Sequence, residues 1–237
     1  MTEPAGGVNR PRRGLRIVCL SDTHNLADGL EVPGGDILLH AGDLTQSGSE
    51  AEVAQARTWL GALPHPHKVV IAGNHDFLFE RQPETARAIM RGLTYLQDSS
   101  AEVAGLTIWG SPWSPWFLDW AFNLERGQEI RAKWDLIPEG IDILMTHGPS
   151  AGHGDTNSRG EAVGCADLLE AVRRVRPRLH VFGHIHEGYG TTREGATVGV
   201  NASTCDRLYR PVHLPVVIDW PIPAQRGSAR PDGESGA

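Results

Sequence analysis

Val69-Val70-Ile71-Ala72-Gly73-Asn74-His75-Asp76 is the stretch from which the rest of this chain is read. Its β-branched apolar run suits a short buried strand. The amide, imidazole and carboxylate that follow occupy consecutive positions, which neither a helix nor a strand would point the same way. A loop at the carboxyl end of a strand can converge them, and α/β sheets build their sites in such loops. Gly73 allows the sharp turn such a loop needs.

The same arrangement recurs outward from there. The apolar run at residues 15–20 ends at Ser21-Asp22-Thr23-His24, and the run at 36–40 ends at Ala41-Gly42-Asp43. Residues 141–145 lead into Thr146-His147-Gly148-Pro149, and residues 179–182 into Gly183-His184-Ile185-His186. Helical patterns lie between the runs. Ser49 with Glu52 forms a capping box for a helix to about Leu60, striped by Val53, Ala56 and Leu60. Pro83 opens a second helix, residues 125–134 a third and 165–174 a fourth. A hairpin is expected to turn at Gly105, a Trp- and Pro-rich loop covers residues 111–120, and strand pairs are expected at 197–200 and 212–218. Strands alternating with helices predict an α/β fold. Residues 14–220 read as one domain between termini, 1–13 and 221–237, whose Gly, Pro, Arg and Ser content predicts disorder.

Composition bounds the function. With 237 residues, 40% hydrophobic, 28 Gly and 16 Pro, the chain reads as globular and loop-rich. A formal net charge of -7 without a long basic run argues against a grip on a polymeric nucleic acid backbone. Cys19, Cys165 and Cys205 are far apart in or beside apolar runs, which fits reduced thiols rather than a disulfide framework. Residues 15–20 are too short for a signal or a membrane span, so a soluble cytoplasmic protein is expected.

The strand ends therefore offer Asp22, His24, Asp43, Asn74, His75, His147, His184 and His186. Oxygen and imidazole donors without cysteine suit manganese, iron or zinc. His40 fits packing beneath the site or orienting a ligand, and His65, His67, His153, His180 and His213 read as surface or satisfied core residues. Trp113 and Trp116 either stack on a nucleobase or pin their proline-rich loop onto the sheet; the second is favoured, and Trp113 is kept as a substrate-binding candidate. Asn201 and Ser203 follow a strand and are candidates to support the site.

Asp22-Thr23-His24, Gly42-Asp43, Gly73-Asn74-His75-Asp76, His147-Gly148 and Gly183-His184-Ile185-His186, in that order, resemble the calcineurin-like metallophosphoesterases. Ser111-Pro112-Trp113, His186-Glu187-Gly188-Tyr189-Gly190 and Asn201-Ala202-Ser203 look like the branch called metallophosphoesterase-domain-containing proteins. Asp76 departs from the pattern, since many relatives carry Glu there. The resemblance implies a four-layered α-β-β-α sandwich and two divalent metal ions. It places one on Asp22, His24 and His186 and the other on Asn74, His147 and His184, with Asp43 bridging. It implies in-line attack on a small phosphodiester, such as a cyclic nucleotide, by a metal-bridging hydroxide. Asn74, His75 and Trp113 would face substrate, His75 would protonate the leaving group, and Asp76 would orient His75. A phosphomonoesterase with the same site, or a scaffold that keeps only the fold, are the alternatives.

Overall fold

A computed structural model describes residues 14–221; the two termini expected to be disordered lie outside the described residues, apart from Pro221. The elements follow in chain order as β1 (Gly14–Leu20), β2 (Ile37–His40), α1 (Glu50–Ala62), β3 (His67–Val70), α2 (Phe77–Arg81), α3 (Pro83–Ile89) and β4 (Thr94–Tyr95). Next come β5 (Ser99–Val103), β6 (Leu106–Ser111), β7 (Ser114–Pro115), β8 (Asn123–Leu124), α4 (Gln128–Trp134) and β9 (Ile143–Thr146). The chain continues with α5 (Ala166–Val175), β10 (Leu179–Phe182), β11 (Gly190–Glu194), β12 (Thr197–Asn201) and β13 (Val216–Pro221).

Two sheets result. One has the order β13-β1-β2-β3-β4, the other β11-β12-β10-β9-β6-β5. β1 to β4 run parallel in the first, and β6, β9, β10 and β12 run parallel in the second. The antiparallel strands β13, β11 and β5 sit at sheet edges. Alternation along each strand assigns its two faces. Ile17, Cys19, Leu39 and Val69 pack with Ile108, Ile143, Val181 and Val200 in a core between the sheets. Val18, Leu20, Leu38 and Val70 face the other way, onto Val53, Ala56 and Leu60 of α1 and Ala86 of α3. On the far side, Trp109 and Leu144 pack against Ile130 and Trp134 of α4 and Leu168 and Val172 of α5. The four layers α-β-β-α follow, and strands covered on both faces explain the continuous apolar runs.

Element boundaries differ from the sequence expectation where single residues intervene. The last strand starts at Val216 instead of 212, because Pro215 has no N–H to give to a ladder. It pairs with β1 in the first sheet, whereas β12 belongs to the second, so the two do not pair with each other. β11 went unread because Gly190-Thr191-Thr192-Arg193-Glu194 is a polar edge strand without apolar alternation. α4 begins three residues late, after Gly127 at φ 87°. The capping box of α1 is present, with Glu52 N–H donating to Ser49 Oγ at 3.3 Å and Ser49 N–H donating to Glu52 at 2.9 Å.

Among the described residues no helix is long and apolar enough to cross a membrane, and the three cysteines are buried and free. Leu60→Ala, which empties a fully buried position under α1, is expected to cost about 2–5 kcal/mol. A lower urea midpoint with unchanged metal content would show that the outer layer supports the fold and not the site directly.

Candidate metal centre

Parallel strands deliver their carboxyl ends to a common edge, so the loops after β1, β2, β3, β9 and β10 meet where the two sheets adjoin. Four of the donor residues, Asp22, His24, Asp43 and His184, adopt left-handed backbone, with φ of 53°, 46°, 52° and 67°. Side-chain-bearing residues seldom hold that conformation, and its concentration here marks a site where surrounding contacts enforce the loop shape. Two glycines allow the loops to close. Gly42 has φ 97°, and a Cβ on it would press on the Ala72 carbonyl at 2.6 Å and on His147 Nδ1 at 2.7 Å. A Cβ on Gly73 would collide with the carboxylate and backbone of Asp43.

Seven side chains converge in two groups that share Asp43. His186 Nε2 lies 3.3 Å from Asp22 Oδ1, and His24 Nε2 lies 3.7 Å from Asp43 Oδ2. On the other side His147 Nε2 is 2.8 Å from Asn74 Oδ1 and 3.4 Å from Asp43 Oδ2. The donor atoms of Asp22, His24 and His186 lie within 4.8 Å of one another, as do those of Asp43, His147 and His184. The structure thus brings together all seven residues expected to be ligands.

The hydrogen bonds behind the imidazoles show which nitrogen is free. His24, His147 and His186 each present Nδ1 to a main-chain carbonyl, of Thr45 at 3.2 Å, Ala41 at 3.0 Å and Asp206 at 2.9 Å. A carbonyl accepts only, so each Nδ1 carries a proton and each Nε2 is the nitrogen turned toward the cluster. His24 Nε2 is buried with no hydrogen-bond partner. A buried acceptor left unpaired is costly, and a cation satisfies it. The donors therefore fit divalent metal ions, and the shared Asp43 fits a pair of them.

Electrostatics agree. Burial opposes the charge on Asp22, yet the hydrogen bond from His186 and the neighbouring imidazoles hold its carboxyl well below the usual range. Asp43 is buried too and is held low by His147, with His24 and His75 adding to the effect. Burial would weaken the basicity of His147 and His186, but Asp43 and Asp22 respectively push each up to about 9 in the metal-free protein. Burial lowers His24, and burial with the charge of His147 lowers His184 to about 4, so both are neutral and ready to ligate near pH 7.

Supporting residues come from farther along the chain. Ser203 Oγ donates to Asp22 Oδ2 at 2.9 Å, and the amide of Asn201 donates to the Ile185 carbonyl at 2.8 Å. His40 pairs through Nε2 with Thr23 Oγ1 at 2.9 Å, and His180 pairs with Thr146 Oγ1 at 2.8 Å. Both histidines are buried, which drives each down to about 3 and keeps it neutral. Each sits beneath a threonine next to a ligand, in Asp22-Thr23-His24 and in Thr146-His147.

His75 and Asp76 divide differently from expectation. Asp76 does not orient His75: its carboxylate accepts from the N–H groups of Leu44, Thr45 and Gly73 at 3.1, 3.0 and 2.8 Å and from Thr45 Oγ1 at 2.7 Å. Backbone amides at the turn outcompete a neighbouring ring, so Asp76 ties the β2 loop to the β3 loop. Burial and then the charge of Asp43 push its carboxyl up to about 6 despite those donors. His75 instead donates from Nδ1 to the Gln46 carbonyl at 2.7 Å, which leaves Nε2 facing Tyr209 Oη at 3.5 Å. Its ring stacks on Trp120 at 4.2 Å and meets His24 edge-on at 4.7 Å. Its donor atom also lies within 4.8 Å of those of His24 and Asp43.

Trp113 takes the loop-pinning arrangement. Its indole N–H donates to Asp98 at 2.9 Å, Lys133 Nζ lies 4.3 Å over its ring, and Phe122 packs edge-on. Gln46, Trp120 and Tyr209 were missed. Tyr209, with φ 57°, covers His24 at 4.9 Å and His186 at 5.7 Å between ring centres. The only signal for Tyr209 in the sequence was an isolated aromatic residue in a polar stretch.

A family model described as calcineurin-like phosphoesterase matches residues 15–188. The human metallophosphoesterase domain-containing protein 1 is 47% identical over an alignment covering 90% of this chain and 73% of that protein. A Synechococcus protein named a probable cyclic nucleotide phosphodiesterase is 29% identical over 65% of this chain and 59% of its own length. Among solved structures, phosphopantetheinyl hydrolase from Mycobacterium tuberculosis matches with a TM-score of 0.58 and 14% identity, covering 81% of this chain and 90% of that one. That last likeness shows a shared fold.

Metal uptake at pH 7 must displace a proton from His147 on one side and from His186 on the other, since both stand at about 9 without metal. About one proton released per ion is expected, with affinity rising as pH climbs toward about 9. Titration calorimetry in buffers of different ionisation heat measures this. The metal-free protein runs the opposite way: the stability these two raised imidazoles contribute is full below about 6.5 and is lost as pH rises through about 9.

Proposed function

The chain belongs to the calcineurin-like phosphoesterase family, and from that membership we propose that it is a binuclear metal-dependent phosphodiesterase acting on small phosphodiesters such as cyclic nucleotides. The observation that carries the proposal is the convergence of seven donor side chains with a fifth imidazole, His75, anchored beside them through the Gln46 carbonyl. The name of the Synechococcus relative supports the substrate class. Manganese, iron or zinc would suit the oxygen and imidazole donors.

Asp22, His24 and His186 would hold one divalent cation and Asn74, His147 and His184 the other, with Asp43 serving both, and the bound ions would supply Lewis acidity toward the phosphoryl oxygens and a nucleophile near neutral pH. The chain's own groups do the rest. Asp22 and Asp43 provide two negative charges against roughly four positive ones, and Asn74, an amide, provides none, so the site stays attractive to an anionic ester. The carbonyls of Thr45, Ala41 and Asp206 keep three imidazoles in the tautomer that offers Nε2. His75 holds a proton at Nε2 for the leaving oxygen, with its ring fixed at Nδ1 by Gln46 and braced by Trp120.

Purified protein reconstituted with manganese should cleave bis(4-nitrophenyl) phosphate more efficiently than 4-nitrophenyl phosphate. Cleavage of the monoester alone would replace the proposal with a phosphomonoesterase, and no turnover with no metal bound would leave a scaffold. His75→Ala should retain both metals yet lose about 100-fold or more in kcat on alkyl leaving groups, with a much smaller loss on nitrophenyl esters. Asn74→Ala should weaken binding of one ion at least tenfold. Metal content measured on the two variants separates the roles, and equal kcat losses by His75→Ala on both ester types would remove the proton-donor assignment.

A further inference from the structure

A cleft of about 300 Å³ is lined by Pro115, Trp116, Phe117, Pro149, Val163 and Ile185, and His184 and its neighbour in space Gly148 join that lining to the metal centre. That size is at the lower bound for a small-molecule site, and the lining is mostly apolar, with Arg126 and Asn157 as polar members beside His184. Trp116 and Phe117 are 53% and 62% exposed, so their rings are not used by the core. Their backbone, in contrast, is well anchored. Trp116 N–H donates to the Leu124 carbonyl at 2.8 Å, β7 pairs with β8, and the Asn123 amide donates to the carbonyls of Phe117 and Leu118 at 3.1 and 2.9 Å. The opposite wall is fixed by Arg126, which donates to the carbonyls of Gly164 and Val163 at 2.8 and 2.6 Å. Exposed aromatic faces on an anchored backbone lose little further freedom when they meet a ligand.

The cleft and His75 serve different parts of the centre. His75 packs on His24, Trp120 and Tyr209, whereas the cleft ends at His184, whose ring packs on His147. The leaving oxygen protonated by His75 is therefore served by different residues from those that line the cleft.

We propose that this cleft binds the second organic arm of a phosphodiester, the arm retained on phosphate after cleavage, and that Trp116 and Phe117 select a flat aromatic arm over a small alkyl one. The inference rests on the phosphodiesterase reading, because a phosphomonoester has no second arm to place there.

Bis(4-nitrophenyl) phosphate and methyl 4-nitrophenyl phosphate release the same 4-nitrophenolate and differ only in the retained arm. With Trp116→Ala, kcat/KM for the bis-aryl ester should fall about tenfold, mainly through KM, and kcat/KM for the methyl ester should change less than twofold. Phe117→Ala should follow the same pattern. Equal losses on both esters, or no loss on either, would overturn the assignment. Calorimetric titration with diphenyl phosphate and dimethyl phosphate gives a readout that needs no turnover. Diphenyl phosphate should bind Trp116→Ala about tenfold more weakly than the parent protein, with dimethyl phosphate unaffected. A parent protein that cleaves no diester would remove the phosphodiesterase reading, and the titration would still decide the cleft: equal affinity of both proteins for diphenyl phosphate sinks it.

Discussion

The carboxylate of Asp22 is the constraint on which the arrangement of the site depends. It is fully buried, so its charge must be met from nearby. The His184 N–H donates to both of its oxygens at 3.1 and 3.0 Å, Ser203 Oγ donates at 2.9 Å, and His186 Nε2 faces it at 3.3 Å. Those groups come from the far end of the chain and from the other sheet. Satisfying one buried charge therefore fixes the β1 loop against the loops after β10 and β12. Asp43 repeats the pattern one strand over, accepting the His75 N–H at 2.8 Å while facing His24 and His147.

Much of this was legible in the sequence because parallel strands turn a linear order into a spatial one. Once the five apolar runs are parallel strands, their polar ends lie along one edge, and Asp22, His24, Asp43, Asn74, His147, His184 and His186 meet there. Buried strands were legible in runs such as Ile17-Val18-Cys19-Leu20, which are apolar at every position because both faces are covered, whereas the four layers were implied by the family resemblance. The unread part comes from contacts made by main-chain groups or by loops without periodicity. Asp76 looked like a partner for the adjacent ring, but its own turn and the β2 loop together supply three backbone donors that no side-chain pattern reveals. Of the two tryptophans in the proline-rich loop, Trp113 was kept as the substrate-binding candidate; Asp98 and Lys133, distant in sequence, engage it, and Trp116 is the one that lines the cleft.

His40 and His180 show how far the organisation extends below the donors. Both are neutral imidazoles on central strands, each bonded to the hydroxyl of a threonine adjoining a donor residue. In the sequence one of them had no motif context at all, since a buried histidine joined to a hydroxyl is set by strand register. β2 lies beside β1 with His40 opposite Leu20, and β10 lies beside β9 with His180 opposite Leu144. These pairs give each donor loop a rigid floor without adding charge under the centre.

The seam between the sheets has a consequence for how the protein lives with its surroundings. The donors of each half of the centre are drawn from distant parts of the chain, with Asp22 and His24 from one sheet and His186 from the other, and an unfolded chain holds no such grouping. Ions that bind only the assembled state draw the equilibrium toward it. If the centre holds its ions as proposed, metal supply would govern persistence as well as turnover, and a shortage of the cation would deplete the folded protein as well as leave it idle.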